Sequence, residues 1–267
     1  MTALSRYCLA LVIVCALAGG CAPLEPATRV RGNSVDVHAD LSRAEALAVA
    51  AEADGVLEQT SAYLNVPKPR PKLYVFRCQW RLRRYLKKEC PAFSRRPGAC
   101  FVAEDGRLVV AVKSVSGGRV AKRGLRHELT HAVIGANFVA PMPWLDEGLA
   151  QVMESGSPPA EDARRIERLL RYDQRSIGRR LMRLLKLPAH SRLDEDDYLV
   201  AWGFVWFLLN DEALGKDAVL KCLAPPVAGE GIRQRYERCL GQSTEQLARR
   251  FAIFVESRRR KMRAPDG

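Results

Sequence analysis

The stretch His127-Glu128-Leu129-Thr130-His131 restricts the fold of this 267-residue chain more than any other. It makes chemical sense only on a helix. Residues i and i+4 share one helical face, one turn apart. Two imidazoles so placed can reach one ion at about 2.0–2.1 Å. A glutamate directly after the first histidine can then take a proton from a nearby water without ligating the metal. The neighbouring residues also ask for a helix. Leu125, Leu129, Ala132, Val133 and Ala136 form an apolar stripe. Gly124 and Gly135 flank the histidines one turn to either side. Glycine costs a helix about 1 kcal/mol against alanine, a cost that makes sense where the histidine face must stay open. With only four histidines in the chain, a chance match is rare.

A catalytic zinc needs a third protein ligand and one open position. Glu147 follows His131 by sixteen residues, inside Pro143-Trp144-Leu145-Asp146-Glu147-Gly148-Leu149-Ala150. Leu145, Leu149, Val152 and Met153 would bury one side of a second helix, leaving Glu147 on another. Asp146 is the competing ligand; its alternative roles are to cap this helix or to support a ligating histidine.

The rest of the chain reads as an α+β, mostly helical protein. Residues 41–118 read as an α/β part with a small sheet. Within it a helix runs from Ser42 to Leu64, with Leu41, Ala44, Leu47, Ala48, Ala51, Val56 and Leu57 at helical spacing. A strand at 73–76 and a basic helix at 80–88 follow. Strands at 99–103 and 107–113 are joined by a turn at Glu104-Asp105-Gly106. Residues 119–263 are almost wholly helical, with helices expected at 119–138, 144–155, 160–186, 195–210, 213–223, 230–239 and 243–261. Ser243 with Gln246 forms a capping box for the last. Together 41–263 make one catalytic domain.

The first twenty residues read as a signal peptide, with Arg6 ahead of an apolar run from Leu9 to Leu17. That run is too short to span a bilayer. Leu17-Ala18-Gly19-Gly20-Cys21 suggests a lipoprotein box, with Cys21 as lipidation site and membrane anchor. Ala16-Leu17-Ala18 also fits ordinary cleavage, though the lipoprotein pattern is the preferred reading. Both readings export the protein, to the periplasm or outer membrane. Residues 21–40 read as a tether. In an oxidising compartment Cys222 and Cys239 could staple the C-terminal helices, and Cys90 and Cys100 could close a short loop. Cys78 is then left over.

The two motifs taken together, His127 to His131 and Trp144 to Ala150, resemble the gluzincin metallopeptidases, and more narrowly the peptidase-MA-like domains of bacterial envelope proteins. The metzincin pattern is excluded, because Ile134 and Asn137 stand where it needs glycine and histidine. The resemblance covers about residues 119–210. It implies a zincin-like fold, with a small mixed sheet before the active-site helix and a helical subdomain after it. It implies one zinc ion on His127, His131 and Glu147, with Glu128 as base and acid. Its edge strand lines the cleft and pairs with an extended peptide or protein substrate; here that would be 107–113. Relatives use a later tyrosine or histidine to steady the oxyanion. Tyr198 is the candidate here, with a plain core or rim aromatic as its other reading, and His190 is a weaker one. The implied activity is peptide-bond hydrolysis. The alternatives are a non-catalytic zinc-binding adaptor of the envelope and an amidase acting on a cell-wall peptide.

Charge adds little to this. The chain carries 43 Lys plus Arg against 30 Asp plus Glu, a formal +13, which favours anionic neighbours. Arg258-Arg259-Arg260-Lys261 and scattered arginines supply it, without interleaved aromatics. No nucleic-acid motif accompanies it, so no nucleic-acid partner is expected. An anionic envelope polymer, which Trp144 and the basic surface would fit, is the looser option.

Overall fold

The structure is a computed structural model that describes residues 26–115, 120–139, 141–156, 162–188, 191 and 193–263. The signal peptide, Cys21 and His190 lie outside the described residues. None of the described helices is long and apolar enough to cross a membrane.

Five strands form one mixed sheet: β1 (Thr28–Arg31), β2 (Asp36–Ala39), β3 (Lys72–Phe76), β4 (Gly98–Val102) and β5 (Leu108–Lys113). Their spatial order is β1-β2-β3-β5-β4. β2, β3 and β5 run parallel, while β1 and β4 pair antiparallel at the two edges. Ten helices are described. α1 (Arg43–Leu64) connects β2 to β3, and α2 (Gln79–Glu89) follows β3. After β5 come α3 (Lys122–Asn137), α4 (Pro143–Met153), α5 (Ala163–Leu169) and α6 (Gln174–Leu185). The chain ends with α7 (Glu195–Asn210), α8 (Gly215–Leu223), α9 (Ile232–Leu240) and α10 (Thr244–Arg263).

The period-2 pleat sorts the strand side chains between two cores. Leu73, Val75, Val110 and Val112 face α1, α3 and the helical bundle in one continuous core reaching from Val30 to Val255. Tyr74, Phe76, Val109 and Ala111 face the other way, where Leu82, Tyr85 and Leu86 of α2 cover them. The helical half is stitched by Trp144, whose Nε1 donates to Tyr236 Oη at 2.8 Å. That hydroxyl in turn donates to the carbonyl of Leu185 at 2.8 Å. A Cys222–Cys239 disulfide ties α8 to α9, as expected. The Ser243–Gln246 capping box also forms.

Several expectations are corrected. The tether is strand from residue 28 onward: β1 and β2 make a hairpin, and the Asp54 carboxylate holds its turn by accepting from the Asn33 and Ser34 amides at 2.7 and 2.6 Å. The expected helix 160–186 breaks into α5 and α6, because Asp173 caps the second segment by accepting from the Ser176 amide at 2.7 Å. The buried face of α1 is rotated from the expected stripe. Ala46, Val49, Ala50 and Ala53 face the core, while Leu47 is 47% exposed. Ala136 is likewise exposed. Cys78, Cys90 and Cys100 are all free thiols. Cys90 packs with the α2-side core and Cys100 with the main one, so the sheet separates them. Trp144 is 1% exposed and offers no surface to a polymer. The edge strand is β4, not 107–113, for β5 is hydrogen-bonded on both sides.

Candidate metal centre

α3 brings His127, Glu128 and His131 to the foot of the sheet by burying Leu125, Leu129, Ala132 and Val133 on its opposite side. Its histidine face is open as the glycines suggested: a Cβ at Gly124 or Gly135 would meet nothing within 4 Å. α4 begins at Pro143, whose missing N–H costs nothing in a first helical turn. Its backbone then presses onto α7. A Cβ on Gly148 would stand 2.7 Å from the Ala201 carbonyl oxygen, so only glycine allows this approach. That contact sets Glu147, the preceding residue, beside both α3 and Tyr198 of α7.

The three expected ligand residues converge. His127 Nε2 and His131 Nε2 lie 3.2 Å apart, and Glu147 Oε2 is 3.4 Å from each. Four ligands at about 2.0–2.1 Å from a tetrahedral zinc stand roughly 3.3–3.4 Å from one another. The triangle therefore matches one face of such a tetrahedron. Glu147 Oε2 is buried without a well-aligned hydrogen-bond partner, its nearest polar neighbours being the two imidazole nitrogens. A buried carboxylate oxygen set equally close to two imidazole nitrogens is an arrangement that fits a cation. His127, His131 and Glu147 could hold a metal ion.

Each ligand is oriented by a partner behind it. His131 Nδ1 is 2.8 Å from Asp146 Oδ1, so Asp146 stands behind a candidate ligand and outside the converging group. His127 Nδ1 is 2.9 Å from Glu154 Oε1. Arg165 holds the other Glu154 oxygen at 2.7 Å, while also reaching the Gln151 carbonyl at 2.7 Å. Glu147 Oε1 accepts from Tyr198 Oη at 3.2 Å and from Arg96 at 3.3 Å. Glu154, Arg165 and Arg96 were not legible as site residues. Glu154 lies two turns past Glu147 on the continuation of α4, a spacing that could have flagged it; nothing local marks Arg96.

The electrostatics follow from this crowding. Burial pulls the His127 imidazole down, but the carboxylates of Glu147 and Glu154 outweigh it and hold it up at about 9. Burial likewise opposes protonation of His131, and Asp146 with Glu147 raise it well above the usual range. Glu147 is driven the other way: burial would raise it, but the two imidazoles beside it lower it strongly. Glu128 is raised, chiefly by burial. Tyr198 is pushed up to about 12 by burial and by Glu147, so its hydroxyl stays a donor at neutral pH.

Glu128 forms a wall of the cleft, and it fits there because β4 starts with glycine. A Cβ on Gly98 would lie 2.7 Å from Glu128 Oε1 and 3.1 Å from its Cδ and Cγ. Two cavity lobes of about 530 Å³ each meet at Glu128, Arg96 and Tyr198. A cavity of about 800 Å³ between α6 and α10 touches none of these residues. Comparison with family models and with curated proteins finds no match for this chain.

Proposed function

We propose that this chain is a zinc-dependent metallopeptidase of the gluzincin kind, working in the bacterial cell envelope. The observation that carries the proposal is the triangle of His127 Nε2, His131 Nε2 and Glu147 Oε2 at 3.2–3.4 Å, with Glu128 beside it on the cleft wall. The donor set favours zinc, since two imidazoles and one carboxylate are a common catalytic set for it. Among the described residues only three donors converge, and they open onto a cleft. This supports a catalytic site over a structural one, which normally closes all four positions.

Zinc held there would supply a Lewis acid that polarises a scissile carbonyl and acidifies water toward neutral pH. The remaining work belongs to the chain. Glu128, with its carboxyl raised by burial, accepts a proton from the attacking water and hands it to the departing amine. Tyr198, protonated at working pH, can turn its hydroxyl from Glu147 Oε1 to the oxyanion. Arg96 then keeps its hold on that carboxylate oxygen. The Cys222–Cys239 disulfide supports export, since such bonds persist in oxidising compartments.

The test is metal analysis of the purified protein beside its Glu128→Gln variant. Wild type should carry one zinc and cleave a peptide library, while Glu128→Gln should keep the zinc and lose turnover. Zinc-loaded wild type that cleaves nothing would end the proposal.

A further inference from the structure

The two lobes that meet at Glu128 differ in chemistry. One runs along β4, where Phe93, Phe101, Leu108 and Leu193 are its large apolar walls and His131, Asp146 and Glu147 its polar floor. The other is lined by Lys113, Arg123 and Arg96, together with Gln79, Val112 and Val120. Its acidic members are already engaged. Glu154 is taken by His127 and Arg165, and Glu128 faces the junction of the lobes. Arg123 is steadied by Asp162 at 3.2 Å while its side chain stays 63% exposed. Lys113 is exposed at the end of β5 and has no carboxylate partner among the described residues. The Arg96 guanidinium stacks on Phe93 at 5.1 Å and uses one nitrogen on Glu147, so donors remain for a ligand.

Both lobes are largely apolar, but Lys113 and Arg123 stand on one side of the reacting centre only, and the large side chains Phe93, Phe101 and Leu193 on the other, which gives the cleft a reading frame for a peptide. We propose that the cleft selects peptides with a large apolar side chain on one side of the scissile bond and a carboxylate on the other. The carboxylate is a side chain or a chain terminus that Lys113 and Arg123 draw in and Arg96 fixes. This rests on the peptidase reading only for the word scissile; the binding preference is a property of the two lobes. Charge-assisted hydrogen bonds to a guanidinium in a partly desolvated cleft are among the stronger polar contacts, and they discriminate by repelling a cation as well as attracting an anion.

The experiment measures fluorescence anisotropy of labelled, end-capped hexapeptides on the zinc-loaded Glu128→Gln protein, alongside cleavage by wild type. The central pair is Phe–Glu, Glu–Phe, Phe–Lys or Lys–Phe. One of the two acidic orders should bind about ten-fold more tightly than its lysine counterpart. Lys113→Glu and Lys113→Glu/Arg123→Glu should erase or invert that ratio, while Lys113→Arg retains it. Equal binding of acidic and basic peptides, or a ratio indifferent to the charge reversals, overturns the inference. A preserved preference with no cleavage by wild type leaves the inference standing and sinks the hydrolytic function instead.

Discussion

Gly98 and Glu128 stand in a direct steric relationship across the β4–α3 packing. The hydrogen on Gly98 occupies the place where any Cβ would press on the whole carboxylate arm, at 2.7 Å from Oε1 and 3.1 Å from Cδ and Cγ. The first residue of an edge strand thus determines where the carboxylate proposed to handle the proton can sit. Gly98→Ala should displace that carboxylate without touching a ligand. The expected result is full metal content with kcat lowered at least about ten-fold, and a stability loss of about 1–3 kcal/mol from overpacking. Elemental analysis, turnover and thermal melting on one sample check it. Unchanged turnover would mean that Glu128 does not act from this position.

Glu154 is the second test of position. Its carboxylate holds His127 Nδ1 at 2.9 Å and thereby directs Nε2 toward the site. Glu154→Gln should weaken metal affinity by about 10–100-fold, the range seen when such supporting partners are changed. Competition with a chromophoric chelator measures this directly. An unaltered Kd would assign Glu154 to its ion pair with Arg165 alone.

Protons and the proposed metal would compete for the same nitrogens. In the metal-free protein, His127 is held up at about 9 against an ordinary 6.5. Its stabilising contribution is therefore complete below the ordinary value and is lost as pH rises through about 9. Glu147, held low, contributes above the ordinary carboxylate range and loses that contribution as pH falls. Metal binding must displace the imidazole protons, so affinity should climb between pH 6 and 9. Titration calorimetry in buffers of different ionisation enthalpy should register proton release on zinc addition near pH 7. An affinity flat across that interval would contradict the two protonated imidazoles.

The disulfide offers a test independent of the metal. Cys222 and Cys239 are separated by 17 residues and both are buried. Closing a loop of that length restricts the unfolded chain by about 3 kcal/mol. For a domain of this size the double Cys222→Ser/Cys239→Ser variant should melt roughly 6–12 °C lower. The other described cysteines are free thiols, so mild reduction of wild type should reproduce the shift. A variant that melts with wild type would place the bond outside the folded-state balance.

The residues whose chemistry is strung along one helix were open to reading from sequence alone. His127, Glu128 and His131 are bound together by helical pitch, and Glu147 by its placement on the next helix with a clean apolar side. The helix-rich second half was legible because α7 is apolar nearly all round and capping signals mark its neighbours. Local pattern fails where partners come from afar. β1 and β2 are four-residue strands laced with Arg29, Arg31, Asp36 and His38, and only their pairing with each other, that of β2 with β3, and packing under α1 make them strands. Arg96, Glu154 and Arg165 become site residues through contacts across 51, 27 and 11 positions of chain. Which strand forms the exposed edge of the cleft is likewise a matter of sheet order, because a period-2 pattern tells a strand's two faces apart but not its neighbours. Helical spacing is an intrinsic property of the backbone and travels with the sequence. Strand order and the company a carboxylate keeps belong to the packed chain.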